Sequence, residues 1–349
     1  MSVFAYDDSG APVDTVNYTT LVILHGTGFN KNIFKKLLPL GPKYQIRVVV
    51  LNRRGYPGST PFTDEELRSL DSPDEHAHEM FFNARAQELA EFLADFAIRE
   101  RLPKPNANCS TGGIALMGWS SASSYALCLL SHAPGIAGST RKRLEPFLRS
   151  VIVFDAPGNV AGRSIYRDGK LIAFNTTYTV EERFKHFNAW LSAYFNHASV
   201  TSHKSQDLQL EPDPSRPATT STMSKVEHQQ IVCNDEAMKV DIPKTLYPLE
   251  EFERWLKKAL FEDDMAKKFW PKLKVDVIWC ERSPWTFVEA GWAIQELRKE
   301  SDRLRIKGRP LRITMMPGVN HFAHWDEPDK TMAFFVKTID NACIPAARF

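Results

Sequence analysis

A serine set among small residues where a strand turns into a helix is the first group in this chain able to attack a carbonyl. It lies in Gly118-Trp119-Ser120-Ser121-Ala122. The apolar run Ile114-Ala115-Leu116-Met117 precedes it, and the helix-like Ser123-Ser124-Tyr125-Ala126-Leu127-Cys128-Leu129-Leu130 follows. A corner that sharp needs small residues two places before and two after its centre, and Gly118 and Ala122 provide them. Ser121 fits less well, because two places before it stands the bulky Trp119. A serine hydroxyl is a weak nucleophile at neutral pH. It needs a base within hydrogen-bond reach, and the base needs a carboxylate to fix its tautomer. His321, which follows Pro317-Gly318-Val319-Asn320, is the candidate base, with His324 as its rival three residues on.

Three further segments share this style of loop. Leu21-Val22-Ile23-Leu24 runs into His25-Gly26-Thr27-Gly28. Arg47-Val48-Val49-Val50-Leu51 runs into Asn52-Arg53-Arg54-Gly55-Tyr56-Pro57-Gly58-Ser59. Leu311-Arg312-Ile313-Thr314-Met315-Met316 precedes the His321 loop. A strand with a His-Gly loop, a strand with an Arg-Gly-x-x-Gly-Ser loop, a Gly-x-Ser corner and a late Gly-x-x-His, in that order, resemble the α/β-hydrolase superfamily. The resemblance spans about residues 20–160 and 270–340, in a serine esterase-like or lipase-like branch with a cap. The usual second glycine of the corner is Ala122 here.

The resemblance implies roles. Ser120 is the nucleophile and His321 the base. The backbone N–H of Ser121 is one oxyanion donor; the other comes from the loop after Gly26, from Thr27 or else Gly28. The acid is open between two residues. Many relatives carry it after the penultimate strand, in a pattern like Trp-Gly-Glu-Arg-Asp-Pro. The corresponding stretch is Trp279-Cys280-Glu281-Arg282-Ser283-Pro284, with Ser283 at the usual Asp position. Asp155, which ends Val151-Ile152-Val153-Phe154, is the preferred replacement, because some members place their acid after that strand. Glu281 is the alternative. The reaction implied is cleavage of an ester, thioester or lactone through an acyl-enzyme. An acyltransferase would use the same machinery, and a ligand-binding protein on this fold would need none of it.

The elements that must position these groups are short. Apolar runs at 21–24, 47–51, 114–117, 151–154, 275–279 and 311–316 read as buried strands. Residues 79–101, 285–299 and 324–338 carry apolar side chains at helical spacing. This alternation predicts an α/β fold, a mostly parallel sheet with helices on both faces. Few residues precede the first of these strands, so an N-terminal hairpin is expected to be small. The alternation stops after Gly158 and resumes near Val275. Residues 1–159 and 271–349 are therefore expected to form the core. Residues 160–270 are expected to form an inserted helical cap, with a mobile polar loop near 203–224. Its aromatic residues (Phe184, Phe187, Trp190, Tyr194, Phe195, then Phe252, Trp255 and Phe261) suit both packing against the core and an apolar or aromatic small-molecule substrate.

Composition excludes several classes. The 349 residues are 43% hydrophobic and 25% charged, ordinary for a globular chain. A net charge of +2 gives no reason to expect nucleic acid or an anionic membrane as partner. The five cysteines, Cys109, Cys128, Cys233, Cys280 and Cys343, form no Cys-x-x-Cys pair, and reduced structural thiols are expected. His76 and His78 lack companion ligands in what reads as a polar loop, so no metal site is expected. The glycines at 55–58 do not form a dinucleotide loop, and no cofactor is expected. Residues 114–130 contain four serines and are not a membrane span. The start of the chain lacks the pattern of a secretory signal, the last three residues are not a usual peroxisomal address, and the sites Asn17, Asn108 and Asn175 then carry little meaning. A cytoplasmic location is the expectation.

Overall fold

The structure, a computed structural model, describes residues 3–13, 15–107, 110–167 and 177–340. Cys109, Cys343, Asn108, Asn175 and the last three residues lie outside the described residues. Seven strands form one sheet: β1 (Tyr6–Asp8), β2 (Thr19–Leu24), β3 (Ile46–Leu51), β4 (Ile114–Trp119), β5 (Leu148–Phe154), β6 (Lys274–Cys280) and β7 (Leu311–Met316). Their order is β1-β3-β2-β4-β5-β6-β7. Only β1 runs antiparallel, pairing Tyr6 with Leu51 on β3; the other pairings are parallel. The six apolar runs each become a strand, so the expected α/β fold with a mostly parallel sheet is the one observed.

The strands are apolar on both faces because both are covered. Along β4, Ile114 and Leu116 point into one core, while Ala115, Met117 and Trp119 point into the other. The first core is closed by helices Glu75–Arg99, Ser123–Ser131 and Leu249–Leu260, the second largely by Pro328–Asp340 and the short turn Lys31–Phe34. Helix Glu75–Arg99 starts four residues before the expected point, because the Asp74 side chain accepts the His76 N–H (3.0 Å) and caps it. His76 and His78 therefore lie on its first turn, not in a loop. His78 is buried, 2.8 Å from Glu251 and 2.7 Å from the Ser72 carbonyl.

Between β5 and β6 the chain forms helices Val180–Leu191, Lys225–Ile231, Asn234–Val240 and Leu249–Leu260. The last of these differs from the expectation for 160–270. Phe252, Trp255, Leu256 and Leu260 pack into the first core beside the residues of Glu75–Arg99, so this helix belongs to the layer covering the sheet. The polar stretch 203–224 is tied down at several points. Asp213 pairs with Arg282 (2.9 Å), and Thr219 donates to Asp326 (2.6 Å) and accepts from Asn320 (3.0 Å). Among the described residues, no helix is long and apolar enough to cross a membrane.

The second core contains a histidine with nothing to bond. His324 is fully buried against Phe34, Trp119, Phe154 and Phe322, and neither ring nitrogen has a hydrogen-bond partner among the described residues. Burial, with His321 and Lys36 adding to it, holds its proton affinity well below the ordinary value of 6.5. Above pH 6.5 both the folded and the unfolded chain carry this imidazole neutral. As pH falls below 6.5 the unfolded chain takes a proton that the folded one refuses, so stability drops. His324→Phe is expected to reduce the loss of folding stability between pH 7 and pH 5 by roughly 1–2 kcal/mol. Denaturant titrations of both proteins at the two pH values check this; equal losses would contradict it.

Candidate active site

Ser120 sits where β4 turns into the helix that begins at Ser123, and its backbone is left-handed (φ +58°). Residues other than glycine adopt this conformation at a cost of about 1–3 kcal/mol unless their surroundings impose it. The surroundings here do. A Cβ on Gly118 would lie 2.4 Å from the Ala122 carbonyl oxygen, so only glycine allows the chain to double back so closely. The Ser123 hydroxyl then closes the corner by donating to the Gly118 carbonyl (2.8 Å). Gly26 passes just as near: a Cβ there would meet Ser120 Cβ at 2.6 Å and Oγ at 3.1 Å. The loop after β2 thus lies directly against the serine.

His321 and Asp155 meet in the interior. His321 Nδ1 is 2.6 Å from Asp155 Oδ2, and both side chains are fully buried. A carboxylate on Nδ1 fixes the proton there and leaves Nε2 as an acceptor. Nε2 is buried and bonded to nothing among the described residues, and no hydrogen bond joins it to Ser120 Oγ. The imidazole lies between Trp119 (ring centroids 4.7 Å apart, 25° between planes) and Phe287 (4.2 Å). Trp119 also donates its indole N–H to the His321 carbonyl (3.0 Å), which locks the histidine loop to the residue next to Ser120. Burial lowers the His321 proton affinity below the ordinary 6.5, while the hydrogen bond and charge of Asp155 oppose it.

Asp155 follows β5 directly, and its N–H still continues the ladder to the Ile278 carbonyl (2.6 Å). Its own φ is +48°. Oδ1 accepts the Cys280 N–H (2.8 Å), and Oδ2 accepts the Ser283 hydroxyl (2.6 Å) as well as the imidazole. Glu281 is elsewhere: its carboxylate accepts the Gly318 N–H (2.7 Å) and holds the loop before His321 from outside. Of the two acids the sequence left open, the structure brings Asp155 to the imidazole and keeps Glu281 away. His324 is separated from the serine by Trp119 and Phe322.

The expected oxyanion donors fare unequally. Ser121 opens the helical turn after Ser120, and its hydroxyl accepts from the Thr27 hydroxyl (2.8 Å). The Thr27 N–H has no partner among the described residues. Gly28 corrects the expectation: its N–H is directed to the Tyr56 hydroxyl (3.3 Å), so it is not free for an oxyanion.

A buried charged cluster behind this loop had no sequence signal beyond the Arg-Arg-Gly motif. Arg53 grips Asp241 with two bonds (2.8 Å each) and also donates to the carbonyls of His25 (2.8 Å) and Gly26 (3.2 Å). Tyr56 donates to the same carboxylate, and Lys244 adds a bond of 2.8 Å. Burial pushes the Asp241 carboxyl up, but Arg53 and Lys244 outweigh it and hold it well below the usual range. His25 is neutral: burial and Arg53 bring its pKa down to about 3, and its Nε2 accepts the Arg53 N–H (3.1 Å). The neighbouring strand-like stretch is pinned from the inserted segment, through Asn30 N–H to Ile231 O (2.9 Å) and Cys233 N–H to Gly28 O (2.8 Å).

A cleft open to solvent is lined in part by Ser120. Thr27 and Ser121 stand at its base; Phe187, Trp190, Leu191, Ile242, Phe252 and Phe287 supply apolar wall, and Asp241 and Lys244 reach its edge. Among the described residues, no group of three potential ligands is arranged to hold a metal ion.

Comparison with known proteins agrees with the fold. A search of curated proteins finds no significant match. Solved structures of similar fold include a serine hydrolase from the polyaromatic-hydrocarbon-degrading bacterium Cycloclasticus zankles (TM-score 0.53, 9% identity, 97% of this chain and 94% of that one). A carboxylesterase from Bacillus subtilis gives a TM-score of 0.51 at 15% identity over 96% and 86% of the two chains. A lipase-esterase related protein from Clostridium acetobutylicum gives 0.50 at 13% over 97% and 99%. At such identities the likeness speaks for the fold alone. The sequence profile of the alpha/beta hydrolase family matches residues 21–334, nearly the whole chain, and the chain belongs to that family.

Proposed function

We propose that this protein is a serine hydrolase that cleaves an ester, thioester or lactone of an apolar or aromatic small molecule. The observation that carries the reading is the buried Asp155–His321 pair, with Nε2 free, packed on the residue beside a left-handed Ser120. Ser120 Oγ attacks the carbonyl carbon and His321 Nε2 takes its proton. Asp155 holds the imidazole in the required tautomer and stabilises the cation that forms. The carbonyl oxygen, now an anion, is received by the N–H groups of Thr27 and Ser121; one such donor is typically worth about 3–4 kcal/mol. The protonated imidazole then gives its proton to the leaving alcohol or thiol. Water, deprotonated by the same Nε2, attacks the acyl-enzyme and releases the acid. The chemistry needs no cofactor. Residues 180–245 are the part of the inserted segment read as a cap, and Phe187, Trp190, Leu191 and Ile242 from it favour an apolar substituent.

The direct test is covalent labelling. A fluorophosphonate should modify wild-type protein at Ser120, fail with Ser120→Ala and lose most of its rate with His321→Ala; an unreactive wild type contradicts the proposal. A series of p-nitrophenyl esters of graded chain length would then map the cleft.

Two measurements address the acid and base. Asp155→Asn is expected to lower turnover by about four powers of ten, while Glu281→Gln should stay within roughly tenfold of wild type, since it touches only the Gly318 N–H. The opposite ranking would transfer the acid's role to Glu281. The base must be neutral to act, and burial makes His321 a weaker acceptor of protons than free imidazole. kcat/KM is therefore expected to be full above pH 6.5 and to fall only as pH drops through a midpoint below 6.5. A midpoint above 6.5 would contradict this placement.

A further inference from the structure

Ser283 is fully buried at the corner between β6 and helix Trp285–Arg303. Its hydroxyl approaches Asp155 Oδ2 at 2.6 Å, the same oxygen and the same distance as the imidazole Nδ1. Its own backbone is held at both ends. The N–H donates to the Cys280 carbonyl (3.3 Å), and the carbonyl accepts from His197 Nε2 (2.8 Å). Among the described residues, His321 is the one basic side chain that pairs with the Asp155 carboxylate. A buried carboxylate without a fixed cation depends on hydrogen bonds for its stability and its orientation. The Cys280 N–H fixes Oδ1, and Ser283 is the donor besides the imidazole that holds Oδ2.

We propose that Ser283 is a positioning residue, whose hydroxyl aligns Asp155 Oδ2 with His321 Nδ1 and draws off part of the carboxylate's charge. The assignment rests on reading Ser120, His321 and Asp155 as a catalytic set. Its consequence has a definite sign. With the hydroxyl removed, Oδ2 binds the imidazolium more strongly, so the base is harder to keep neutral and the acid limb of the rate moves to higher pH. The titratable groups facing the pair are few: His324 lies across Trp119 from His321, and the Cys280 thiol lies beside Asp155. Neither changes charge between pH 5 and pH 8, because burial holds His324 neutral and pushes the Cys280 thiol well up. The remaining neighbours of the imidazole are the rings of Trp119, Phe287 and Phe322.

The experiment measures ester turnover against pH, the rate of fluorophosphonate labelling of Ser120, and the melting temperature, for wild type, S283A, S283T, D155N and the D155N/S283A double variant. S283A should lower kcat roughly tenfold with KM within about twofold, and raise the acid-limb midpoint by roughly half a pH unit. S283T, which keeps the hydroxyl, should restore most of the rate. In the D155N background, removing Ser283 should slow labelling no further, because its partner carboxylate is already gone. The assignment is overturned if S283A keeps wild-type kcat and acid limb, or if it slows labelling as much in D155N as in wild type. Should S283A fail to fold, S283C keeps the volume with a weak donor and carries the same expectations. A wild type that does not label removes the catalytic reading and this assignment together. A labelled wild type with an indifferent S283A removes the assignment alone.

Discussion

The arrangement depends on holding one carboxyl group in place where water cannot reach it. Asp155 is wholly buried, and three donors from separate parts of the chain converge on it: a backbone N–H at the end of β6, a hydroxyl in the loop after β6, and an imidazole in the loop after β7. Such a group is tolerable only when its acceptor sites are filled with good geometry. The requirement therefore reaches back into the sheet. β5 and β6 must be neighbours in register, with Phe154 opposite Ile278, for the strand ends to meet. β7 must flank β6, with Cys280 opposite Met316, for the histidine loop to close over them. The order of parallel strands is in this sense a device for bringing these loops to one point, as parallel sheets generally gather their sites at the carboxyl ends of strands.

A buried charge does comparable work on the other side of the serine. Arg53 spends one face of its guanidinium on Asp241 and the remainder on the carbonyls of His25 and Gly26. The loop beside Ser120 cannot drift without breaking these bonds. Asp241 belongs to the segment between β5 and β6, so the same contact ties that segment to the sheet. Arg53, Asp241 and Lys244 thus form one buried cluster behind the loop that passes Ser120.

How much of this could be read in the residues depends on how local each cause was. Six of the seven strands were legible because both faces of the sheet are covered, which makes each of them a short apolar run; β1, Tyr6–Asp8, is not one. The corner at Ser120 was legible because its steric demand falls on positions 118 and 122 of the same segment. Asp155 was legible only as one of two carboxylates, since its partner lies 166 residues away and nothing near Val151–Phe154 announces the pairing. The partner of Gly28 was hidden for a related reason: a glycine after His-Gly suits an oxyanion loop, but its N–H donates to Tyr56 from the next strand's loop. How far the inserted segment packs on the sheet was not legible, because aromatic helices in a cap and in a core have the same composition. Only packing shows that Phe252 and Trp255 face Phe82, and that this helix covers the sheet. Asp241 had no signal at all, because its importance comes entirely from Arg53.

Two strand ends share a feature that a sequence rule based on glycine would miss. Ser120 and Asp155 both take left-handed backbone conformations, with φ of +58° and +48°, immediately after neighbouring strands. Aspartate tolerates this region better than most residues, serine less well. Each position would relax if it were glycine, and each instead carries a side chain that the neighbouring structure engages: Gly26 presses on Ser120, and three donors hold Asp155. Backbone strain persists where the side chain it presents is constrained by more contacts than the strain can break. The left-handed residues stand at the carboxyl ends of their two strands. That shared solution places a hydroxyl and a carboxylate on adjacent strands, with the imidazole ring stacked on Trp119, the residue that ends β4.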